Sequence, residues 1–435
     1  MLSGIRSRLP FGIGTVVMLA IVAMIASVGA VLAIKSDAPH GGRYTAGQLR
    51  AYPGKPEAAW TRDLNNLPEF GPGSGPVDVA DTHGETWLLS YPSGIGKAFL
   101  AVNRYDGKSR WEKPVKAGLG DCAFNAHGEV ACATKLGDGI PDGFYKVDAA
   151  GKLGPARPLD DTVRLVGVGQ NFVRVNQVGY QLTASTPEGV ERWHASFASA
   201  ATPLYLPEID TLDVKLADGS HALVDPATGK TKLSCGPCTL HVYPTGLAVE
   251  HGGSGGVIDF HAFHHGKLVA KPTHIARSMQ VATGPAALPV IWGLGSATLT
   301  QAEGHYEVRD PAEAKALWAV SDKELSKAKP FACGRLVAFT RKDATRDVMR
   351  LDERGTRVGV LPAPDRQRPD TNPAELRCVG SFGNVIVAWN ENQVTAFNGS
   401  TGKIDWELPI NGNATSVEGQ IVLRQGATLS VLRAS

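Results

Sequence analysis

Short apolar runs that alternate with polar residues recur through most of this chain, separated by turns that end in glycine. A period of two marks strands that bury one face. The clearest pair is AVNRYDGKSRWEKPV (101–115) and AFNGSTGKIDWELPI (396–410). Each reads as a strand, a turn closed by glycine, and a second strand with Trp four residues after that glycine. Weaker copies lie between them: FYKVDAAGKLG (144–154), YQLTASTPEGVERW (180–193), HALVDPATGKTKL (221–233), FHAFHHGKLVA (260–270), YEVRDPAEAKALW (306–318) and VMRLDERGTRVG (348–359).

The aligned turn positions are Gly107, Gly151, Gly189, Gly229, Gly266, Ala314, Gly355 and Gly402. Their spacing averages about 42 residues, the length of a four-stranded propeller blade. An Asp or Asn ahead of the turn can accept a hydrogen bond from the backbone two residues on, and glycine takes a positive φ without a Cβ clash. Trp111, Trp193, Trp318 and Trp406 occupy the slot after the turn, where a large apolar plate can pack between blades. Pro155, Leu233, Ala270 and Gly359 stand there in the other copies.

Two further strands precede each copy: 76–81 and 86–91 in the first unit, 376–382 and 384–389 in the last. After Trp406, residues 415–417, 420–424 and 428–433 read as three strands without a Trp partner. Residues 59–64, with Trp60, are an orphan Trp strand. Joining the two termini completes a blade and removes an exposed sheet edge. The expected fold is therefore an all-β propeller of about eight blades, seven to nine, over residues 58–435. Literal counting gives nine. The helix-like stretch 312–329 is where a unit is most easily miscounted.

The first residues break this pattern. Residues 9–34 carry no charge, enough for a helix to span a hydrocarbon core of about 30 Å. Arg6 and Arg8 precede them, which places residues 1–8 in the cytoplasm and everything after the span outside. A cleavable signal peptide is the alternative, with Val28-Gly29-Ala30 as a small-residue cut site, but its apolar core is usually shorter. Residues 35–57, rich in Pro, Gly and polar groups, read as a flexible stalk. The expected location is thus the cell membrane, single-pass, with the C-terminal domain extracytoplasmic.

All six cysteines lie beyond the span, and an even number in an oxidising compartment suggests disulfides. The blade assignment puts Cys122 and Cys132 on neighbouring strands, and Cys333 and Cys378 on the first strands of adjacent units. Cys235 and Cys238 then remain for each other. Lys and Arg total 44 against 42 Asp and Glu, which leaves no footprint for nucleic acid.

The copies DPATGK (225–230), NGSTGKIDW (398–406) and NRYDGKSRW (103–111) make the repeat resemble the pyrroloquinoline-quinone-type propeller. That repeat occurs in quinoprotein dehydrogenases and in BamB-type outer-membrane assembly lipoproteins. The motif positions are Trp60, Gly107, Trp111, Gly189, Trp193, Gly229, Trp318, Gly402 and Trp406. Such dehydrogenases stack the quinone on a disulfide of adjacent cysteines. No Cys-Cys pair occurs here, so no cofactor and no catalytic residue carry over.

Other chemistry is sparse. Cys235-Gly-Pro-Cys238 has the spelling of a thioredoxin redox motif, but a low thiol pKa needs a helix N-terminus after it and TLHVYPTG reads as a strand. A structural disulfide is expected. His241, His251, His261, His264 and His265 crowd one unit, the last two in a turn, and read as solvated rather than metal-bound. Asp138, Asp142 and Asp148 offer too few oxygens for calcium. Asn398 and Asn413 begin glycosylation sequons, for which no modification is expected. The chain is expected to be a scaffold that binds envelope or membrane proteins, not an enzyme. The alternative is an enzyme or small-ligand receptor that uses the central channel.

Overall fold

The computed structural model describes residues 47–71, 77–157, 162–176, 178–207, 209–252, 257–264, 267–269, 271–275, 279–293, 305–365 and 372–435. The expected cytoplasmic N-terminus and the apolar span at residues 9–34 lie outside them. Among the described residues no helix is long and apolar enough to cross a membrane.

Nine antiparallel sheets follow one another along the chain. Their innermost strands are Asp78–His83, Asp121–Phe124, Thr162–Val168, Ala201–Leu206, Cys238–Tyr243, Met279–Val281, Phe331–Cys333, Arg377–Phe382 and Asn413–Val417. Numbered in that order, they begin blades one to nine. In blade one the chain meanders outward through Thr86–Ser93, Gly96–Asn103 and Val115–Gly118. Blade nine is built from both termini: Ala58–Asp63 pairs antiparallel with Thr428–Leu432, with Trp60 opposite Val431. The count is therefore nine, and no unit is miscounted. The stretch 312–329 holds no helix. Residues Ala316–Ser321 form the outer strand of blade six, opposite His305–Arg309.

Apolar clusters fill the junctions between blades. Phe144 meets Phe172 between blades two and three, and Tyr306 meets Phe339 between six and seven, with ring centroids 6.1 and 4.5 Å apart. Trp60 of blade nine lies edge-on to Trp87 of blade one at 6.1 Å. Each such fully buried ring is worth roughly 2 kcal/mol against exposure, so adhesion between blades is a large part of what holds the ring.

The repeat residues act across those junctions. Gly107, Gly151, Gly189, Gly229, Gly355 and Gly402 have φ between 60° and 85°, and Ala314 takes 57° in the copy without glycine. Asp148, Asp225, Asp310, Asp352, Asn103 and Asn398 each accept a hydrogen bond from the N–H two residues on. A tryptophan of one blade lies under the turn glycine of the next: Trp60 under Gly107, Trp111 under Gly151, Trp193 under Gly229 and Trp318 under Gly355. The indole N–H groups of Trp60, Trp193 and Trp318 donate to backbone carbonyls of those turns at 2.8–2.9 Å. Blade two has Pro155 in the slot, and proline cannot donate to a ladder. Its fourth strand is reduced to the bridges Phe144–Arg157 and Val147–Leu153.

Three disulfides are present: Cys122–Cys132, Cys235–Cys238 and Cys333–Cys378. The first joins directly opposed residues of neighbouring strands in blade two. The third joins the inner strands of blades seven and eight.

Candidate functional site

In a four-stranded meander the first-to-second and third-to-fourth turns lie at one end of the blade, and the other turns and the blade connections at the opposite end. The ring therefore has two faces of different composition.

Residues 47–57, which the sequence assigns to a flexible stalk, are bound to the first of these faces. The Ser381 N–H donates to the Gly47 carbonyl, Leu49 N–H to Ser381, and Arg50 N–H to Gly419. A Cβ on Gly47 would lie 2.8 Å from the Pro285 carbonyl oxygen. The segment thus crosses the inner turns of blades six, eight and nine, and its Gly47 carbonyl also lies against Gly334 of blade seven. It is pinned by Tyr52, which is 1% exposed. The Tyr52 hydroxyl accepts from Ile421 N–H at 3.0 Å, and its carbonyl accepts from the Trp406 indole at 2.9 Å. Hydrogen bonds to ring turns, not composition, decide the state of this strap.

Among the described residues, the opposite face carries five of the nine exposed large apolar side chains. Ile95, Leu119, Leu136, Val178 and Tyr180 are 40–62% exposed and sit in hairpin tips and connections of blades one to three. Three of them adjoin one another: Leu119 N–H donates to the Lys135 carbonyl, and Gly96 packs directly on the Gly118 backbone. The same face of blades six to eight offers Asp322, Lys323, Glu324, Arg341, Lys342, Asp343 and Glu391 instead.

Carboxylates line the start of the ring. Asp81 accepts from Phe124 N–H at 2.7 Å, tying the inner strands of blades one and two, and Asp121 pairs with Lys97 at 3.5 Å. Asp78 pairs with Arg424 across the seam between blades nine and one. Burial pushes the proton affinity of Asp78, Asp81 and Asp121 up, against these partners. Glu418 closes the same seam, accepting from the Trp87 indole and from Arg104 at 2.8 Å.

The candidate calcium residues do not converge. Asp138 pairs with Lys116 at 3.0 Å, and Asp142 accepts from Leu136 N–H at 2.7 Å and pairs with Lys135. Asp148 lies in a turn at the other end of the blade. The Leu136 hydrogen bond holds the Asp142 carboxyl below its usual range. Among the described residues no group of three His, Cys, Asp or Glu side chains is arranged to hold a metal. A cleft of about 390 Å³ opens where Pro155 replaces the tryptophan, lined by Lys146, Asp148, Lys152, Arg157 and Glu188. Lys146 is already paired there with Glu129 and Glu188.

The histidines sort into pairs with acids. His241 meets Glu250 at 3.4 Å, and His251 and His274 share Asp259 at 2.9 and 2.5 Å. Burial would raise the Asp259 proton affinity, but hydrogen bonds from His274 and His251 hold it below the usual range. His261 is 2% exposed and bonds the Val269 carbonyl. Burial lowers its proton affinity. It is a core histidine, not a solvated one. His265 and the side chain of His264 lie outside the described residues.

Cys235 ends the outer strand of blade four, Thr231–Cys235, and Cys238 begins the inner strand of blade five. His221 lies directly opposite Cys235, and His251 directly opposite Cys238. The His221 Nδ1 bonds Asp213 at 2.8 Å. Neither His221 nor Asp213 stands out in the sequence, because strand register alone brings them beside the cysteines.

No family model matches the chain, and no curated protein matches it. Among solved structures it is similar to BamB from Moraxella catarrhalis, at 13% identity over 86% of this chain and 85% of that one, with a TM-score of 0.35. It is also similar to the computationally designed Ika8 protein, at 11% identity over 89% and 99%, TM-score 0.41, and to the Dos1 propeller, at 12% identity over 72% and 90%, TM-score 0.37. At these identities the likeness concerns architecture alone, and the chain's own strand pairing makes it a nine-bladed β-propeller.

Proposed function

We propose that the protein is a membrane-anchored, extracytoplasmic propeller that binds other proteins of an envelope or membrane complex through the face opposite the strap. The observation that carries this reading is the group of exposed apolar side chains on that face, Ile95, Leu119, Leu136, Val178 and Tyr180. Contiguous exposed apolar patches mark protein contact surfaces, and Ile95, Leu119 and Leu136 stand at adjoining backbone positions on this face. The chain joins the ring across the other face, so a partner here does not compete with the strap. Pairing of all six cysteines supports an oxidising compartment. The uncharged residues 9–34 behind Arg6 and Arg8 support a single-pass anchor.

The test is affinity purification of the full-length protein from native membranes in mild detergent. Wild type is expected to carry a stoichiometric membrane-protein partner. Ile95→Asp combined with Leu136→Asp is expected to lose it while keeping the wild-type melting temperature. A wild-type monomer without partner, or an unchanged complex in the double variant, overturns the reading. A native intact mass beginning near Val31 overturns the anchor.

A further inference from the structure

The Cys235–Cys238 disulfide differs from the other two in its short loop and in having neither cysteine in the core, whereas Cys378 alone of the other four is half-buried. Cys122, Cys132 and Cys333 are core residues, 0–3% exposed. Cys235 and Cys238 are only half-buried, at a blade connection on the face opposite the strap. Their bond spans three positions, against ten and 45 for the others. Closing so short a loop removes little entropy from the unfolded chain. Backbone hydrogen bonds also hold the connection. Cys238 N–H donates to the Gly219 carbonyl and Gly252 N–H to the Pro237 carbonyl, both at 3.2 Å. The Gly236-Pro237 tip is thereby braced by the hairpins of blades four and five whether or not the sulfurs are joined.

Each cysteine lies opposite a histidine that an acid orients. Directly opposed residues of antiparallel strands point to the same side, with Cβ atoms about 4.5–5.5 Å apart. Cys235 therefore shares a side with His221, which Asp213 holds through Nδ1, leaving Nε2 outside that bond. Cys238 shares a side with His251, which Asp259 holds through Nε2, leaving Nδ1 outside that bond. Nucleophile, base and an acid that orients the base are the parts of an activated thiol. They occur twice here, once from each blade, without a helix N-terminus.

We propose that Cys235 and Cys238 form a thiol–disulfide exchange site for the dithiol of a partner protein. A thiolate of the partner attacks one sulfur. The Cys235–Cys238 bond breaks, a mixed disulfide forms, and the displaced cysteine leaves as a thiolate beside its own histidine, His221 for Cys235 or His251 for Cys238. The partner's second thiol gives its proton, through that histidine, to the displaced thiolate and attacks the partner sulfur of the mixed disulfide, releasing the other cysteine as a thiolate. The partner dithiol is oxidised to a disulfide, and Cys235–Cys238 is reduced to one thiol and one thiolate. The site shares a face with the apolar side chains of blades one to three, but the exchange does not depend on them.

The test uses the full-length protein in mild detergent with a reduced synthetic dithiol peptide as probe. Differential alkylation and peptide mapping follow each of the three disulfides. Cys235–Cys238 is expected to open at least tenfold faster than either of the others and at least tenfold faster than glutathione disulfide, with one probe disulfide formed per chain. Cys235→Ser with Cys238→Ser is expected to abolish probe oxidation with the other disulfides intact. His221→Gln and His251→Gln are each expected to slow exchange at least fivefold and to shift its pH midpoint. The charged groups facing the sulfurs are Asp213, Lys215 and His221 on blade four and His251, Asp259 and His274 on blade five, with Asp218 in the adjoining hairpin. Asp213→Asn and Asp259→Asn give the same reading with less change in volume. A rate no faster than glutathione disulfide, or one unmoved by all four substitutions, overturns the proposal.

Discussion

At the residue scale the repeat is a contact between an indole and a glycine of the next blade. The turn needs a positive φ, and the indole needs the space a Cβ would fill. The two demands can be separated. Gly84 has φ 55° with nothing within 4 Å of a Cβ, whereas Gly355 has φ 60° and its Cβ would meet the Trp318 ring at 2.5 Å. Left-handed backbone costs a non-glycine residue roughly 1–2 kcal/mol. Gly84→Ala is therefore expected to cost about 1 kcal/mol, and Gly355→Ala about 3 kcal/mol or more once the clash is added. Urea midpoints at constant slope measure both. Equal losses would remove the tryptophan from the argument. Ala314 already takes φ 57° in the native chain, in the turn that follows a copy with no Trp at position 270. The glycine and Trp positions were legible in the sequence because each motif is local. Their joint action across a junction was not, because it links residues 36 to 47 positions apart.

At the scale of elements, the disulfides order the strands they join. Cys333–Cys378 ties the inner strands of two blades with Cα atoms 5.5 Å apart and a separation of 45, while Cys122–Cys132 spans ten within one blade. On the chain-entropy relation, replacing each pair by alanine is expected to cost about 4, about 3 and about 1.5 kcal/mol for separations of 45, ten and three. Chemical denaturation of the three double variants checks the order. A Cys235–Cys238 loss as large as that of Cys333–Cys378 would make the short disulfide a structural one. These pairings followed from assigning cysteines to first and second strands, which alternation supports. The stretch 312–329 was harder, since the AEAKA run favours helix in isolation and pairing with His305–Arg309 overrides it.

For the whole molecule, closure is what makes nine sheets one body. Ala58–Asp63 covers the edge of Thr428–Leu432, places Trp60 under Gly107 and adjoins the seam held by Glu418 and Arg424. A chain beginning at residue 47 keeps strap and closing strand. It is expected to remain monomeric and to melt at the temperature of the full-length propeller. A chain beginning at residue 64 leaves an unpaired edge strand, which promotes edge-to-edge association. It is expected to aggregate or to melt over a broad range. Size-exclusion chromatography and thermal melts distinguish the two. A monomeric, cooperative chain from residue 64 would show that the closing strand is dispensable.

The sequence by itself determined the strands, the glycine turns, the blade period and the joining of both termini. The strands and turns are written within about fifteen residues, as alternation, an Asp or Asn before a glycine, and a Trp after it, and the period and the joining of the termini follow from repeating that motif along the chain. Tertiary structure alone decided that nine blades fill the ring, since blade number depends on how weak copies without tryptophan still pack on their neighbours. It alone turned residues 47–57 from a linker into a strap, through backbone hydrogen bonds to turns more than 300 positions away. It also set His221 and His251 beside Cys235 and Cys238, because strand register and the meeting of two blades are properties of the closed ring and leave no periodic mark on the chain.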